Sequence, residues 1–299
     1  MTIAYSVSRK PNHSIVTFQA MASPCEILLA THELSVIQSI MQTVIPIIVE
    51  FENKYSRYQQ HNLCWRLNHS AGEKIAIDLE TFRMLEYAKK LYQLSEGLFD
   101  ITSGILRRIW QFKPGAMPPD DLAISQTLPH IGFQNIEYDE QYFTMPANME
   151  VDFGGIGKEY CVDKVCEKIK VLCEQTPLNF LVNLGGDLRA VQMQKNFEGW
   201  QVGIEASSVN DKQQQLIRVQ DGAVATSGST KRMFTFNDKV YAHILNPKTG
   251  YPIEGAPRSI TVLAANCSLA GGMSTLAQLK GEEAENFLNQ TGLPFVCRW

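Results

Sequence analysis

The glycine-rich segment 151–160 constrains the fold of this chain more than any other feature. A predicted strand, Glu150–Phe153, leads into the turn Gly154–Gly157, and a helical pattern begins near Lys158. Glycines let backbone N–H groups approach a phosphate closely, and a helix N-terminus adds positive potential. The segment matches neither GxxxxGK[ST] nor GxGxxG. Taken alone, it is as compatible with a tight turn between a strand and a packed helix as with phosphate binding.

Apolar spacing and capping residues predict several helices. One helix is indicated by apolar residues at helical spacing, with a kink expected at Pro46: Ile37, Ile40, Met41, Val44, Ile48, Phe51 and Tyr55. A second runs from about Leu79 to Leu94, with Asp78 as N-cap and Gly97 after its end. The helix that begins near Lys158 should bury Val162, Val165, Cys166, Ile169, Leu172 and Cys173. Two short C-terminal helices are expected on either side of Gly281.

Short apolar runs between turn residues predict strands that pair as hairpins. They are Ile15–Phe18, Glu26–Leu29, Tyr142–Met145, Glu150–Phe153, Leu178–Leu184, Ser259–Ala264, and the two runs on either side of the turn Asn237-Asp238, namely Arg232–Phe236 and Lys239–Leu245. Hairpins mixed with helices favour an α+β fold, with a mixed or antiparallel sheet core and packed helices, over a doubly wound parallel sheet.

Composition narrows the class of protein. The chain has 299 residues, 44% hydrophobic and 19% charged, with a formal net charge of −4. It can therefore build a sizeable core, and it lacks the basic face that a nucleic-acid partner requires. Seven cysteines without CxxC spacing are expected to be reduced, mostly buried thiols.

The N-terminal region shows no apolar core of signal-peptide length, and the apolar stretch Val44–Phe51 is too short to span a bilayer. We therefore expect a cytoplasmic protein without direct membrane insertion. The division expected is an N-terminal extension, 1–20, and a single domain, 21–299. That domain could have two lobes that meet near the proline-containing loop 111–120.

Four further segments combine glycines with polar side chains. They are Asn183–Asp187, Ala225–Gly228, His243–Gly250 and Ala270–Thr275. In the second, the small residues Thr226, Ser227 and Gly228 allow close approach of a flexible ligand. His243 could titrate near neutrality. Each segment alone fits an ordinary turn or capped helix, and for Asp187 a turn-capping role is favoured.

These segments occur in an order that resembles the ApbE family, the FAD:protein FMN transferases, from about Met21 to about Gly281. The matching segments are Met21-Ala22-Ser23, Ser56-Arg57-Tyr58, Gly97-Leu98-Phe99-Asp100, Asp152 to Tyr160 with Asp163, Asn183 to Asp187, Ala225 to Gly228, and His243 to Gly250. Seven matches in order are specific. The resemblance implies an ApbE-like architecture related to the T-fold.

The resemblance also implies which residues bind the ligands. FAD contacts are implied at Met21, Tyr58, Leu98, Phe99, Asp100, Asp152, Lys158 and near Leu245, and the turn at Gly154 would cradle phosphates. It implies Mg²⁺ held by the Gly155 backbone, by Thr275 and by an acidic residue four positions earlier. This chain has Gly271 there, so Ser274 could supply an oxygen instead, although a hydroxyl is a weaker Mg²⁺ ligand than a carboxylate.

The implied reaction is attack by a threonine or serine hydroxyl of an acceptor protein on the FMN-side phosphorus of FAD, releasing AMP. Lys158 would neutralise phosphate charge, and His243 is the candidate general base. Two alternatives stay open from the residues: metal-dependent hydrolysis of FAD to FMN and AMP, and a flavin-binding protein without catalysis, which Gly271 favours. The sequence identifies neither the acceptor nor the oligomeric state.

Overall fold

The computed structural model describes residues 3–204, 215–228 and 232–299. The helices are α1 (Leu34–Tyr55), α2 (Leu63–Asn68), α3 (Leu79–Leu94), α4 (Asp121–Thr127), α5 (Gly157–Leu172), α6 (Cys267–Leu279) and α7 (Ala284–Thr291), with short 3₁₀ helices at Ile101–Arg108, Leu128–His130, Phe133–Asn135 and Gly281–Glu283. The strands are β1 (Tyr5–Lys10), β2 (His13–Ala20), β3 (Ser23–Leu29), β4 (Ile75–Ala76), β5 (Glu137–Tyr138), β6 (Tyr142–Thr144), β7 (Phe180–Leu184), β8 (Asp187–Val191), β9 (Trp200–Ile204), β10 (Gln215–Val219), β11 (Gly222–Gly228), β12 (Met233–Phe236), β13 (Lys239–Ala242), β14 (Ser259–Ala264) and β15 (Phe295–Arg298).

An eight-stranded sheet with the order β1-β2-β3-β7-β8-β11-β14-β15 is the largest sheet of the described residues. All its neighbouring strands are antiparallel, which confirms the α+β prediction. Residues alternate between its faces: Phe180 and Val182 belong to the core under the helices, and Leu181 belongs to a cluster under the β9–β10 hairpin. The segment that the sequence analysis set apart as 1–20 contributes β1 and β2 to this sheet.

Helix α1 is longer than the sequence analysis allowed. The stretch Val44–Phe51, judged too short to span a bilayer, is the middle of a 22-residue helix that continues through Pro46. With a hydropathy of 1.6, α1 is the one helix of the described residues whose length and composition would allow it to cross a membrane. Its apolar stripe, from Ile37 to Tyr55, is buried in the main core, where α1 packs against α5. A core helix of this length passes the same test.

The other predicted helices are confirmed. Helix α3 has the predicted bounds, and the Asp78 side chain accepts a hydrogen bond from the Thr81 N–H at its N-terminus. Gly281, at φ +60°, separates α6 from α7. The predicted buried stripe of α5 holds except at Leu172, the last residue of the helix, which is 41% exposed.

The prediction of a strand at Glu150–Phe153 is wrong. This segment is extended, but its backbone groups bond outside any sheet. The Asn68 side chain binds both the N–H and the C=O of Val151, and the Asp152 N–H donates to the Ile101 C=O. A side chain and a 3₁₀ helix thus replace a neighbouring strand as hydrogen-bond partners.

The cysteines are free thiols, six of them buried, as predicted. The loop 111–120 crosses a small separate cluster of buried residues, Leu106, Trp110, Ala116, Ile124 and Phe234, under the β12–β13 hairpin. The turn of that hairpin is Asn237-Asp238, at φ 48° and 60°, which is the left-handed geometry that a two-residue turn requires.

Candidate functional site

The register of the main sheet brings several motif segments to one end. Cys25 pairs with Leu184, so the β2–β3 turn that contains Met21 lies beside the β7–β8 turn. Val224 pairs with Leu188, which places the second half of β11 at the same end. Strand pairing therefore brings together segments that are far apart in the chain.

Close backbone packing joins the two turns. Met21 and Ala22 take left-handed φ values of 49° and 55°, and the Met21 N–H donates to Glu52 Oε2 at 2.9 Å. A Cβ at Gly185, whose φ is +71°, would lie 2.8 Å from the Ser23 Cβ. Gly185 is therefore required both for its backbone conformation and for this approach.

The N-terminus of α5 supplies the positive end of the site. Its N-cap, Ile156, makes no side-chain capping bond within the described chain, and the Ile156 and Gly157 N–H groups donate to the Phe153 C=O instead. Lys158 Nζ would lie 3.6 Å from a Cβ at Gly185, and it is 3.8 Å from Asp187 Oδ2. A helix N-terminus beside an ammonium group attracts a phosphate.

An ion pair holds the glycine turn before α5. The Arg57 guanidinium binds Asp152 Oδ2, and Asp152 Oδ1 accepts from the Gly154 N–H at 2.9 Å. Arg57 also donates to the Tyr58 hydroxyl at 2.8 Å and lies 4.9 Å from the centre of its ring. Tyr58 is 74% exposed, so its ring is available for stacking.

The segment from Leu98 to Asp100 packs against this turn. The Phe99 ring is buried, and its Cε2 would lie 3.3 Å from a Cβ at Gly155. Leu98 packs against the core. Asp100 caps the 3₁₀ helix: its carboxylate accepts from the Thr102 N–H and hydroxyl and from the Phe133 N–H. Burial raises the pKa of Asp100, and these bonds oppose the shift.

Hydroxyl groups of β11 and α6 form a second part of the site. Ser227 Oγ is 2.8 Å from Ser274 Oγ and 3.0 Å from Thr275 Oγ1. Ser274 is fully buried and donates to the Gly271 C=O. The Thr226 hydroxyl lies on the other face of the sheet, 2.8 Å from Thr261 Oγ1, so its side chain points away from this group.

The end of β11 is closely packed as well. A Cβ at Gly228 would lie 2.8 Å from the Arg258 C=O, so only glycine fits there without a shift.

Two buried carboxylates lie beside these hydroxyls. Glu159 is 8% exposed, and its Oε2 has no hydrogen-bond partner among the described residues. Burial raises its pKa, and the charge of Asp187 raises it further. Burial also raises the pKa of Asp187, against the effects of Lys158 and of the Thr226 N–H. A Cβ at Gly271 would lie 2.5 Å from Glu159 Cγ and 2.8 Å from its Oε1.

His243 lies near the aromatic ring of Phe112 and makes no hydrogen bond to either carboxylate within the described residues. Its Nδ1 is buried without a partner in the described part of the chain, and its ring is 6.3 Å from that of Phe112. Burial lowers its pKa, and the charge of Arg232 lowers it further. Leu245 forms a bridge with Pro252 and packs on the small cluster under β12–β13.

The segment that follows His243 lies close to Gly97, the residue before Leu98. Lys248 Cε would lie 3.6 Å from a Cβ at Gly97. The segment 243–250 therefore packs close to Gly97. Within the described residues, His243 forms no hydrogen bond with Lys158, Asp152 or Thr275.

Glu159 is absent from the site residues predicted from the sequence, and Asp187 is predicted there only to cap a turn. A signal was available: an acidic residue follows Lys158 directly, at the start of a helix, while the position expected to be acidic is a glycine. Among the described residues, no group of three or more His, Cys, Asp or Glu side chains is placed to hold a metal by itself. Two shallow grooves on either side of α1 share no lining residue with this site.

A model of the ApbE family matches residues 21–297. The FAD:protein FMN transferase of Vibrio cholerae is 30% identical over 250 residues, covering 81% of this chain and 74% of that protein. The FAD:protein FMN transferase of Haemophilus influenzae is 32% identical over 251 residues, covering 79% and 71%. The crystal structure of the ApbE protein of Thermotoga maritima has a TM-score of 0.83 at 24% identity, covering 98% of this chain and 94% of that one. The apo flavinyl transferase ApbE of Pseudomonas stutzeri has the same TM-score at 23% identity, with coverage of 99% and 92%.

Proposed function

Because this chain belongs to the ApbE family, we propose that it moves FMN from FAD to a threonine or serine hydroxyl of an acceptor protein, with AMP as leaving group and Mg²⁺ as cofactor. The enzyme class, FAD:protein FMN transferase, is that of its relatives. Beyond this enzyme class, we propose which hydroxyl of the acceptor is modified, which metal is bound and which residues bind FAD or take part in the transfer.

Binding of the FAD pyrophosphate is assigned to the N-terminus of α5. The positive end of the α5 dipole and the Lys158 ammonium offer fixed positive charge to the phosphate oxygens. The ion pair between Arg57 and Asp152 fixes the turn, and the exposed ring of Tyr58 offers a face for an aromatic system of the ligand. Transfer of this kind is catalysed mainly by positioning and charge neutralisation.

The residues present fit a divalent cation. Glu159 Oε2 is a buried oxygen without a partner, and Asp187, Thr275 and Ser227 add oxygen donors nearby. Oxygen donors without a complete protein cage are typical of Mg²⁺, which is usually completed by phosphates and water. When bound, Mg²⁺ would neutralise charge on the phosphate oxygens.

His243 is assigned as general base. Its lowered pKa favours the neutral imidazole, the form that can accept a proton, and its Nδ1 has no hydrogen-bond partner in the described chain. In the proposed step, the acceptor oxygen forms a bond to the FMN-side phosphorus, the hydroxyl proton goes to His243, and the phosphorus–oxygen bond to AMP breaks.

The observation that carries this proposal is the convergence of Lys158, Asp187, Glu159 and Thr275 at one end of the sheet. The test incubates the protein with FAD, Mg²⁺ and a flavin-acceptor domain. We expect a fluorescent adduct that survives denaturation, a mass increase equal to FMN, and one AMP per adduct. AMP release without acceptor would indicate hydrolysis. Binding of FAD without AMP or adduct, with every divalent metal tried, would refute the transferase.

For partners and location we propose a cytoplasmic acceptor domain and no nucleic acid. The net charge of −4 supports the second statement. The burial of one face of α1 in the core supports absence of direct membrane insertion. Cell fractionation of the full-length protein tests the location.

A further inference from the structure

The contact between α5 and α6 at Gly271 is the feature from which this inference starts. The resemblance to the ApbE family implies an acidic residue four positions before Thr275, and this chain has Gly271 there. The space that a side chain at 271 would fill is already taken: Glu159 Cγ, Cδ and Oε1 lie 2.5, 3.0 and 2.8 Å from a Cβ at that position. An acidic residue at 271 therefore cannot coexist with Glu159 in this arrangement.

Glu159 also has the properties expected of a metal ligand. The residue is 8% exposed, and no Lys, Arg or His forms an ion pair with it among the described residues. A buried carboxylate oxygen without a partner is costly, and an adjacent carboxylate, Asp187, adds repulsion. A cation between them would remove both penalties.

The neighbouring oxygens make this a site and not an isolated acid. Gly271 and Thr275 are one turn apart on α6, so the two positions share a helix face. Thr275 Oγ1 is 3.0 Å from Ser227 Oγ. Asp187 accepts from the Thr226 N–H, one residue before Ser227. Carboxylate and hydroxyl oxygens of this kind suit Mg²⁺ or Mn²⁺.

We propose that in this chain Glu159 supplies the carboxylate ligand of the metal, from the first turn of α5, in place of the residue at 271 on α6. The inference rests on the proposed function for the identity of the metal. Under this proposal the carboxylate ligand has moved from position 271 on α6 to Glu159 on α5. The glycine at 271 makes room for Glu159, and the chain keeps its metal site.

The test measures metal binding without measuring transfer. Protein saturated with FAD, with no acceptor, is titrated with Mn²⁺, and free Mn²⁺ is followed by electron paramagnetic resonance, with FAD alone as blank. We expect Glu159→Gln to weaken Mn²⁺ binding by about 100-fold or more, above the 10–100-fold typical of losing a second-shell partner. FAD affinity measured in EDTA by flavin fluorescence should be unchanged.

Two further variants test the exchange. Gly271→Asp alone should destabilise the protein and gain no metal affinity, because its side chain meets Glu159. The double variant Glu159→Gly with Gly271→Asp should recover Mn²⁺ binding to within about tenfold of the original. Glu167→Gln is the matched control, since that carboxylate is on α5 and largely exposed, and it should leave Mn²⁺ binding unchanged.

Wild-type Mn²⁺ affinity in a folded Glu159→Gln protein would overturn the proposal. If that variant does not fold, anomalous diffraction from Mn²⁺-soaked crystals of the unaltered protein shows where the ion binds. An ion within about 2.2 Å of a Glu159 oxygen supports the assignment, and an ion elsewhere refutes it. Metal bound at Glu159 with no FMN transfer to any acceptor would instead refute the proposed function alone.

Discussion

At the scale of single residues, two buried polar groups without partners among the described residues lie in segments assigned to the site. The buried side-chain oxygens and nitrogens that lack a hydrogen bond in the described chain include Glu159 Oε2 and His243 Nδ1. Such groups are costly in a folded protein, and at these two positions the neighbouring motif residues point to a ligand or a chemical task. Asp100 shows the opposite pattern, since three donors satisfy its carboxylate, and its role in the fold is that of a helix cap.

Replacement of His243 by Gln should lower the rate of FMN transfer by about 10²–10⁴-fold, the usual contribution of a general base, with FAD affinity retained. Because burial and Arg232 lower the pKa of His243 from 6.5, the acidic limb of the wild-type pH–rate profile should fall below pH 6.5. The pH dependence of kcat/KM checks this. His69→Gln, at an exposed histidine, serves as control, and a retained acidic limb in His243→Gln would contradict the assignment.

Replacement of Arg57 by Met should reduce the free energy of unfolding by about 1–3 kcal/mol, since it removes a charge-assisted hydrogen bond from a largely buried carboxylate. The same change should weaken FAD binding, because Asp152 then holds the Gly154 N–H less firmly. Urea unfolding and flavin fluorescence measure the two effects. In a double-mutant cycle with Asp152→Asn, a coupling energy near zero would show that the ion pair does not act as described.

At the scale of elements, capping residues determine where helices begin and how pH acts on them. Burial alone would raise the pKa of Asp78, but hydrogen bonds from Lys54 and Thr81 outweigh it and lower that pKa to about 2. A carboxylate with a depressed folded-state pKa stabilises the protein above its unfolded pKa of about 3.9 and loses this contribution as pH falls toward 2.

Asp78→Ala should therefore cost about 1 kcal/mol at pH 7, the usual effect of losing an N-cap, and less at pH 2.5. The exposure of the Asp78 side chain, 57%, argues against a larger contribution from the ion pair with Lys54. Denaturant unfolding at the two pH values measures the difference. Asp139→Ala, at an exposed loop carboxylate, provides a comparison outside any helix. An Asp78→Ala cost that does not change between pH 7 and 2.5 would exclude the cap as its source.

At the scale of the whole molecule, the antiparallel sheet is what assembles the site. Its register sets the β2–β3 turn, the β7–β8 turn and the end of β11 side by side, and α5 and α6 pack across these strands. The edge strand β1 is exposed along its length, whereas β2 buries Val16, Phe18 and Ala20 in the main core.

Deletion of residues 1–10 should therefore leave a folded, FAD-binding protein, with a loss of stability of no more than a few kcal/mol. Deletion of residues 1–20 should abolish folding, because it removes three buried apolar side chains and exposes the edge of β3. Circular dichroism and size-exclusion chromatography distinguish these outcomes. A soluble, monodisperse protein that lacks residues 1–20 would show that β2 is not part of the core.

The sequence by itself determined the local structure of this protein. Helix α3 has the bounds that Asp78 and the apolar spacing predicted, and Ser259–Ala264 is the predicted strand, because capping and periodicity act over a few neighbouring residues. The order of the motifs also determined the family.

Only the tertiary structure decided the rest. Glu150–Phe153 reads as a strand, yet Asn68 and Ile101, distant in sequence, take its hydrogen bonds. Glu159 reads as an ordinary residue of a first helical turn, and Gly271 as a missing ligand. The packing of α5 on α6 places that carboxylate in the space above that glycine. Long-range contacts of this kind depend on strand register and helix packing, which no local pattern encodes.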